Sequence, residues 1–253
     1  MATFEWHSSV MSQDDRSTSS VESGPVAVTD PGASLGGVGA EAVFGGLPAD
    51  PRPVFRRCSE LLGSVIREIS PNELGRSTPC AEFDVRQLLG HVVAAGNRVA
   101  IIGRGEDWTP EPPGARLVVH DDGWYDAWSK AAALMEQAWS DDAALVRVIE
   151  LPWIRSSGAD VLAGYVNEFT VHTWDLAVAT GQSPSWDDEA LRMAFASIRA
   201  VLPPEGRTAQ FEAVRASLPH SAQTWSAPFA DAVPVAPDAP LIDRLVAFNG
   251  RHR

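Results

Sequence analysis

Two cysteines in 253 residues, Cys58 and Cys80, are too few for a disulfide framework. Basic residues are also scarce: 20 Lys and Arg stand against 33 Asp and Glu, for a formal charge of −13. Nucleic-acid affinity rests on neutralising phosphates with Lys and Arg, so this balance argues against it. Adhesion to an anionic membrane is disfavoured for the same reason. A pocket for a small anion is not excluded, because a locally basic site fits inside an acidic protein. No apolar run of membrane-spanning quality occurs. The most apolar stretch, 85–102, contains His91, Asn97 and Arg98 and reads as a buried helix. The opening residues, Met1 to Trp6, have neither a basic region nor an apolar core, so they do not read as a secretory signal. A cytoplasmic location is the resulting expectation. No internal repeat is visible.

What is present is ordinary for a globular protein, with 45% hydrophobic and 21% charged residues. Residues 1–50 differ from the rest. They are rich in Ser, Gly, Ala and Asp, with Arg16 as their single basic residue. Such a segment buries too little surface to offset its ordering entropy and reads as a flexible extension. The folded domain is expected over 51–253.

From Pro53 a helical period begins. Val54, Leu61, Leu62, Val65, Ile66 and Ile69 form one stripe, ended by Ser70-Pro71. After a loop over 72–83, Asp84 caps a second helix, with Gln87 at the capping-box position, and Gly103-Arg104-Gly105 stops it. Three prolines make 108–114 a loop. A third helix is expected from Asp121 or Asp122 to about Trp139. The run Leu145 to Leu151 reads as extended from its Val and Ile content. A fourth helix starts at Ser157 or Asp160 and ends at Thr180-Gly181. A fifth opens at Ser185, with Asp188 three residues on, and closes at Pro203-Pro204. Residues 205–240 read as loop, and a last short helix covers Leu241 to Phe248. The fold class is mainly α, a helical bundle with a peripheral strand and extra C-terminal elements.

Of six histidines, only His91 and His172 lie inside strongly periodic helices, and both border apolar stripes. Glu168 and His172 are four apart, on one helix face and about one turn apart. Two ligands at that spacing converge on a metal without bending the helix, and His91 from a facing helix would make a third. A Glu-x-x-x-His pair is equally an ordinary side-chain contact, and a His beside a stripe is often a hydrogen-bonded core residue. Burial favours the metal, because a carboxylate and two imidazoles beside an apolar core are costly unless something pairs them.

The stretch Ser77 to Val93, with Pro79-Cys80, Phe83-Asp84 and Gly90-His91, resembles a helix signature of the mycothiol-dependent maleylpyruvate isomerase-like proteins, within the DinB-like metalloenzyme group. Glu168 to Ala177, through His172-Thr173-Trp174-Asp175, resembles their other metal-helix signature. The C-terminal stretch from Phe229 through Ala239 and Asp243-Arg244 to Arg251 is similar to the end of the shorter members. The resemblance covers about 53–251, leaving 1–50 outside and 205–228 as an insertion. It implies a DinB-like four-helix bundle and a divalent metal, usually zinc, on His91, Glu168 and His172. It also implies a low-molecular-weight thiol, mycothiol, used in isomerisation or S-transfer.

Three protein ligands leave a position open on such a metal, where a thiol would ionise. Asp175 is a candidate to orient His172 or a substrate from the second coordination sphere, and is equally a capping or surface carboxylate. A small and anionic substrate would need a cation. Arg86 and Arg244 are the candidate cofactor-binding residues, with Arg98 beside them. Trp174 reads as packing. Cys80 lies just ahead of the metal helix with no partner base evident in the sequence. Nine tryptophans make a homodimer plausible. Three functions are compatible with these residues: a metal-dependent thiol enzyme, a thiol-independent metalloenzyme such as a hydrolase or natural-product tailoring enzyme, and a non-catalytic ligand-binding bundle.

Overall fold

The computed structural model describes residues 48–106, 117–151, 154–217 and 230–252. Most of the expected flexible extension and the 108–114 loop lie outside the described residues, as does the 218–228 part of the expected insertion.

Val54, Leu62, Val65 and Ile66 of the first stripe are buried on helix α1 (Arg52–Arg67), while Leu61 is half-buried and Ile69 lies just past its end. Helix α2 (Val85–Arg104) is capped as its sequence suggests. The Asp84 carboxylate accepts from the Gln87 backbone N–H, and the Gln87 side chain reaches back to the Asp84 backbone N–H. Gly105 ends α2 at φ 73°, a left-handed conformation that a side chain resists. Helix α3 (Trp124–Ala138) starts later than the expected Asp121 or Asp122, because a turn closes first, with Gly123 N–H donating to His120 C=O at 2.8 Å.

The extended run expected over 145–151 is only partly extended. Asp141 caps a short helix α4 (Asp142–Val146), which takes up Leu145 and Val146. Strand β1 (Val148–Leu151) follows and pairs antiparallel with β2 (Ile154–Ser157), Val148 opposite Ser157 and Leu151 opposite Ile154. Ser157 caps helix α5 (Gly158–Thr180), which ends at Gly181. Helix α6 (Asp188–Val201) is capped by Asp187, whose carboxylate accepts from the Glu189 and Ala190 N–H groups; Ser185 stands outside it. Helix α7 (Arg207–Ser217) falls in the stretch read as loop. Its polar composition hides it, and what fixes its start is tertiary: buried Arg207 donates to the carbonyls of Pro203, Ala230 and Phe248. Helix α8 (Leu241–Phe248) lies where expected.

The packing is a closed ring of four long helices: α2 against α3, α3 against α1, α1 against α5, and α5 against α2. Helix α6 lies against α5 and α1, and α8 against α6 and α5. The fold is mainly α, a DinB-like four-helix bundle with a two-stranded hairpin and added C-terminal helices. Because α5 has neighbours on nearly every side, Leu162, Val166, Phe169 and Leu176 are all fully buried. Phe169 is packed edge-on by Trp128 at 5.2 Å and lies 5.5 Å from Phe55. Burying such a ring is worth roughly 1.5–3 kcal/mol. It also fixes the rotation of α5 about its axis, and that rotation decides where Glu168 and His172 point. A reciprocal amide pair, Asn167 with Asn249 at 3.0 and 3.1 Å, ties α5 to the end of α8.

Candidate metal centre

His91 comes from α2, and Glu168 and His172 from consecutive turns of α5. These two helices are neighbours in the ring. His91 Nε2 lies 2.9 Å from Glu168 Oε1, and His172 Nε2 lies 3.6 Å from the same oxygen. The two imidazole rings are 4.9 Å apart and nearly perpendicular. One ligand atom from each of the three residues lies within 4.8 Å of the others. Two imidazole nitrogens and a carboxylate oxygen are the donor set of many catalytic zinc sites. The His172 side chain is 8% exposed, against 28% for His91 and 27% for Glu168, so the cluster opens toward solvent on the His91 and Glu168 side.

The electrostatics suit a cation. Burial pushes the Glu168 carboxyl up, but the charge of His172, the hydrogen bond and charge of His91, and the charge of Arg98 outweigh it. Together they hold the group well below the usual carboxylate range. Glu168 is therefore an anion shared between two imidazoles.

Behind His172 lies a second layer. Asp175 is fully buried, and its Oδ2 lies 3.0 Å from His172 Nδ1. Arg251 clasps the same carboxylate, with Nε 3.0 Å from Oδ1 and one Nη 3.1 Å from Oδ2. A carboxylate only accepts, so Nδ1 carries a proton in this contact, and Nε2 is the ring nitrogen directed at Glu168. Asp175 thus contacts a candidate ligand rather than water. Arg251 stands in a recognisable sequence string, but nothing in its spacing marks the role, which depends on a contact 76 residues away.

Other residues singled out in the sequence are placed as follows. Cys80 is buried against His172 and Asp175, one atom of each within 4.8 Å of the others. Burial pushes its thiol up to about 11, against the pull of Arg251. Trp174 is buried in the core. Arg86 pairs with Asp121 on the surface, and the Arg244 guanidinium lies 5.6 Å from the Phe195 ring centre. Among the described residues neither hydrogen-bonds to, nor pairs with, His91, Glu168 or His172. Arg98 is different, because its charge reaches both Glu168 and Tyr165. Burial pushes the Tyr165 hydroxyl up to about 12. A cavity lined by Arg57, Cys58, Thr170 and Trp186 shares no residue with the cluster.

A four-helix bundle with a His–Glu–His donor set between two adjacent helices defines the class, a DinB-like candidate metal-binding protein. Residues 55–177 match the family described as mycothiol maleylpyruvate isomerase N-terminal domain. The match contains all three candidate ligands and Asp175. Similar curated proteins include two from Mycobacterium tuberculosis, the uncharacterized proteins MT0763 and Rv0738. Each is 28% identical over 202 residues, which is 80% of this chain and 98% of the relative. No solved structure matches the chain.

Proposed function

We propose that the protein is a divalent-metal-dependent enzyme, with zinc as the metal, that activates a low-molecular-weight thiol of the mycothiol type for isomerisation or S-transfer. The observation that carries this reading is the convergence of His91, Glu168 and His172 on one another, with Asp175 behind His172. The match of residues 55–177 to that family supports the mycothiol-related, metal-dependent part of it.

His91, Glu168 and His172 would hold the metal. When bound, such an ion keeps a coordinating thiol deprotonated at neutral pH. The chain's own residues prepare the site for that chemistry. Glu168 supplies the negative charge of the donor set. Asp175 holds the proton on Nδ1 of His172, which leaves Nε2 free to ligate. Arg251 offsets the charge of Asp175, so the second layer adds little net charge. Tyr165 keeps its proton at neutral pH. Arg98 supplies positive charge beside Glu168, which suits a small anionic substrate entering from the exposed side. Cys80, buried and protonated, is not the nucleophile in this reading. Among the described residues no helix is long and apolar enough to cross a membrane. We place the enzyme in the cytoplasm.

The test is the metal content of tag-free protein, wild type beside His172→Ala. About one equivalent of zinc in the wild type, lost in the variant, supports the reading. Thermal protection by mycothiol that requires the metal supports the thiol step. Metal retention with no thiol effect points instead to a thiol-independent metalloenzyme. No metal in either protein after reconstitution overturns the reading.

A further inference from the structure

The two candidate histidine ligands are held by different means. His172 is clamped through Nδ1 by a buried carboxylate. His91 lies on the open side of the cluster. Its Nε2 meets Glu168, and one face of its ring is covered by Phe83, with ring centroids 5.2 Å apart and planes inclined by 28°. The edge of His172 closes another side at 4.9 Å. An imidazole turns in a broad, roughly two-fold torsional well about its last side-chain bond. Something must therefore stop His91 from rotating off the metal axis. We propose that Phe83 is a positioning residue for His91, an aromatic plate that fixes the imidazole plane so that Nε2 stays aimed at Glu168 and the metal. This rests on the metal-binding reading above.

The plate is itself fixed. Phe83 immediately precedes Asp84, the cap of α2. Its N–H donates to Cys80 C=O at 2.9 Å, and the Thr78 hydroxyl lies 2.7 Å from Phe83 C=O and 2.9 Å from Cys80 C=O. Ser77 pairs with Asp84 in an antiparallel bridge. The backbone that presents the ring is thus cross-braced on both sides, and the ring packs against the hydrophobic core. The same position also has a purely structural use. An apolar residue just before a helix cap commonly packs on the fourth helical residue, the position that Leu88 occupies in α2. Any apolar side chain serves that purpose, whereas a planar face over His91 needs an aromatic ring.

That difference defines the experiment. Phe83→Leu keeps an apolar contact with the helix but removes the plate, and Phe83→Tyr keeps both. Zn2+ affinity is measured by competition with a chromophoric chelator. The visible absorption of Co2+-loaded protein reports ligand geometry, and thermal unfolding of the metal-free forms controls for folding. The expected result is that Phe83→Leu melts near the wild type without metal, yet binds Zn2+ about threefold to tenfold more weakly. Its Co2+ spectrum shifts, and Phe83→Tyr restores both affinity and spectrum. A Leu variant with wild-type Zn2+ affinity and an unchanged Co2+ spectrum overturns the positioning role while leaving the metal site standing. A wild-type protein that takes up neither ion overturns the metal reading and this one with it.

Discussion

Asp175 and His172, three residues apart on α5, meet at 3.0 Å in a place that water does not reach. The carboxylate has no solvent to share its charge. It is satisfied by His172 Nδ1 and by the fork of Arg251, and each partner depends on the other.

Asp175→Asn retains the shape but offers Arg251 and His172 a weaker acceptor. Loss of such an outer partner typically costs 10- to 100-fold in metal affinity, and that is the expected loss here. Asp175→Ala goes further, because it strands the Arg251 guanidinium, whose side chain is only 15% exposed. A buried charge without its partner costs about 3–5 kcal/mol. Chelator competition and urea unfolding separate the two effects. An Asn variant with wild-type affinity and stability would leave Asp175 no role in the site.

The cap of α6 gives a prediction with a pH signature. Burial pushes the Asp187 carboxyl up, but the backbone N–H of Ala190, the Arg57 guanidinium and the N–H of Glu189 lower it below its ordinary value of 3.8. A depressed folded-state value means that the stabilisation is present above 3.8 and is lost as the pH falls through the folded value. Asp187→Ala is expected to cost about 1 kcal/mol near pH 7, and Ser185→Ala close to nothing. Thermal melts of both variants from pH 7 to pH 3 check this. The Asp187→Ala deficit should shrink at the acid end, and equal deficits at both sites would reassign the cap.

That choice between Ser185 and Asp187 shows what the sequence holds and what it leaves out. Stripes and strong caps were legible wherever local signals agreed, as with Asp84, Gln87 and Gly181, whereas the start of α5 stayed open between Ser157 and Asp160. Two neighbouring capping residues compete, and only the backbone turn decides between them. Strand β2 was missed because Arg155-Ser156-Ser157 has no apolar alternation and depends on β1 for its pairing. Helix α7 was missed because Arg207 is fixed by carbonyls up to 41 residues away. The i, i+4 spacing of Glu168 and His172 was local and readable. His91 could be nominated from its stripe, but its 2.9 Å approach to Glu168 needs the packing of α2 on α5. Phe83 and Arg251 act through tertiary contacts, and spacing carries no trace of them.

The two thiols yield a prediction about reactivity. Burial pushes both Cys58 and Cys80 up to about 11. The thiolate is the reactive form, so both are protonated near pH 8 in the folded protein. Iodoacetamide at that pH is expected to label native protein slowly and urea-unfolded protein quickly at both positions, read by peptide mass spectrometry. Rapid labelling of Cys80 in folded protein would return it to the list of candidate nucleophiles.

The broadest consequence of the His–Glu–His cluster is thermal. A ligand that binds only the folded state stabilises it by about 2.7 kcal/mol at a hundredfold excess over Kd. In a domain of this size that corresponds to a melting shift of roughly 5–10 °C. Zn2+ at that excess should raise the Tm of chelator-stripped wild type by this amount. The shift should vanish in His172→Ala and persist in Arg192→Ala, an exposed pair with Asp188 on α6. The two variants together guard against a misleading result. With a net charge of −13, the surface attracts divalent cations without any built site. Diffuse binding of that kind is indifferent to one buried imidazole, so a His172→Ala protein that gains as much Tm as the wild type would place the bound metal outside the bundle.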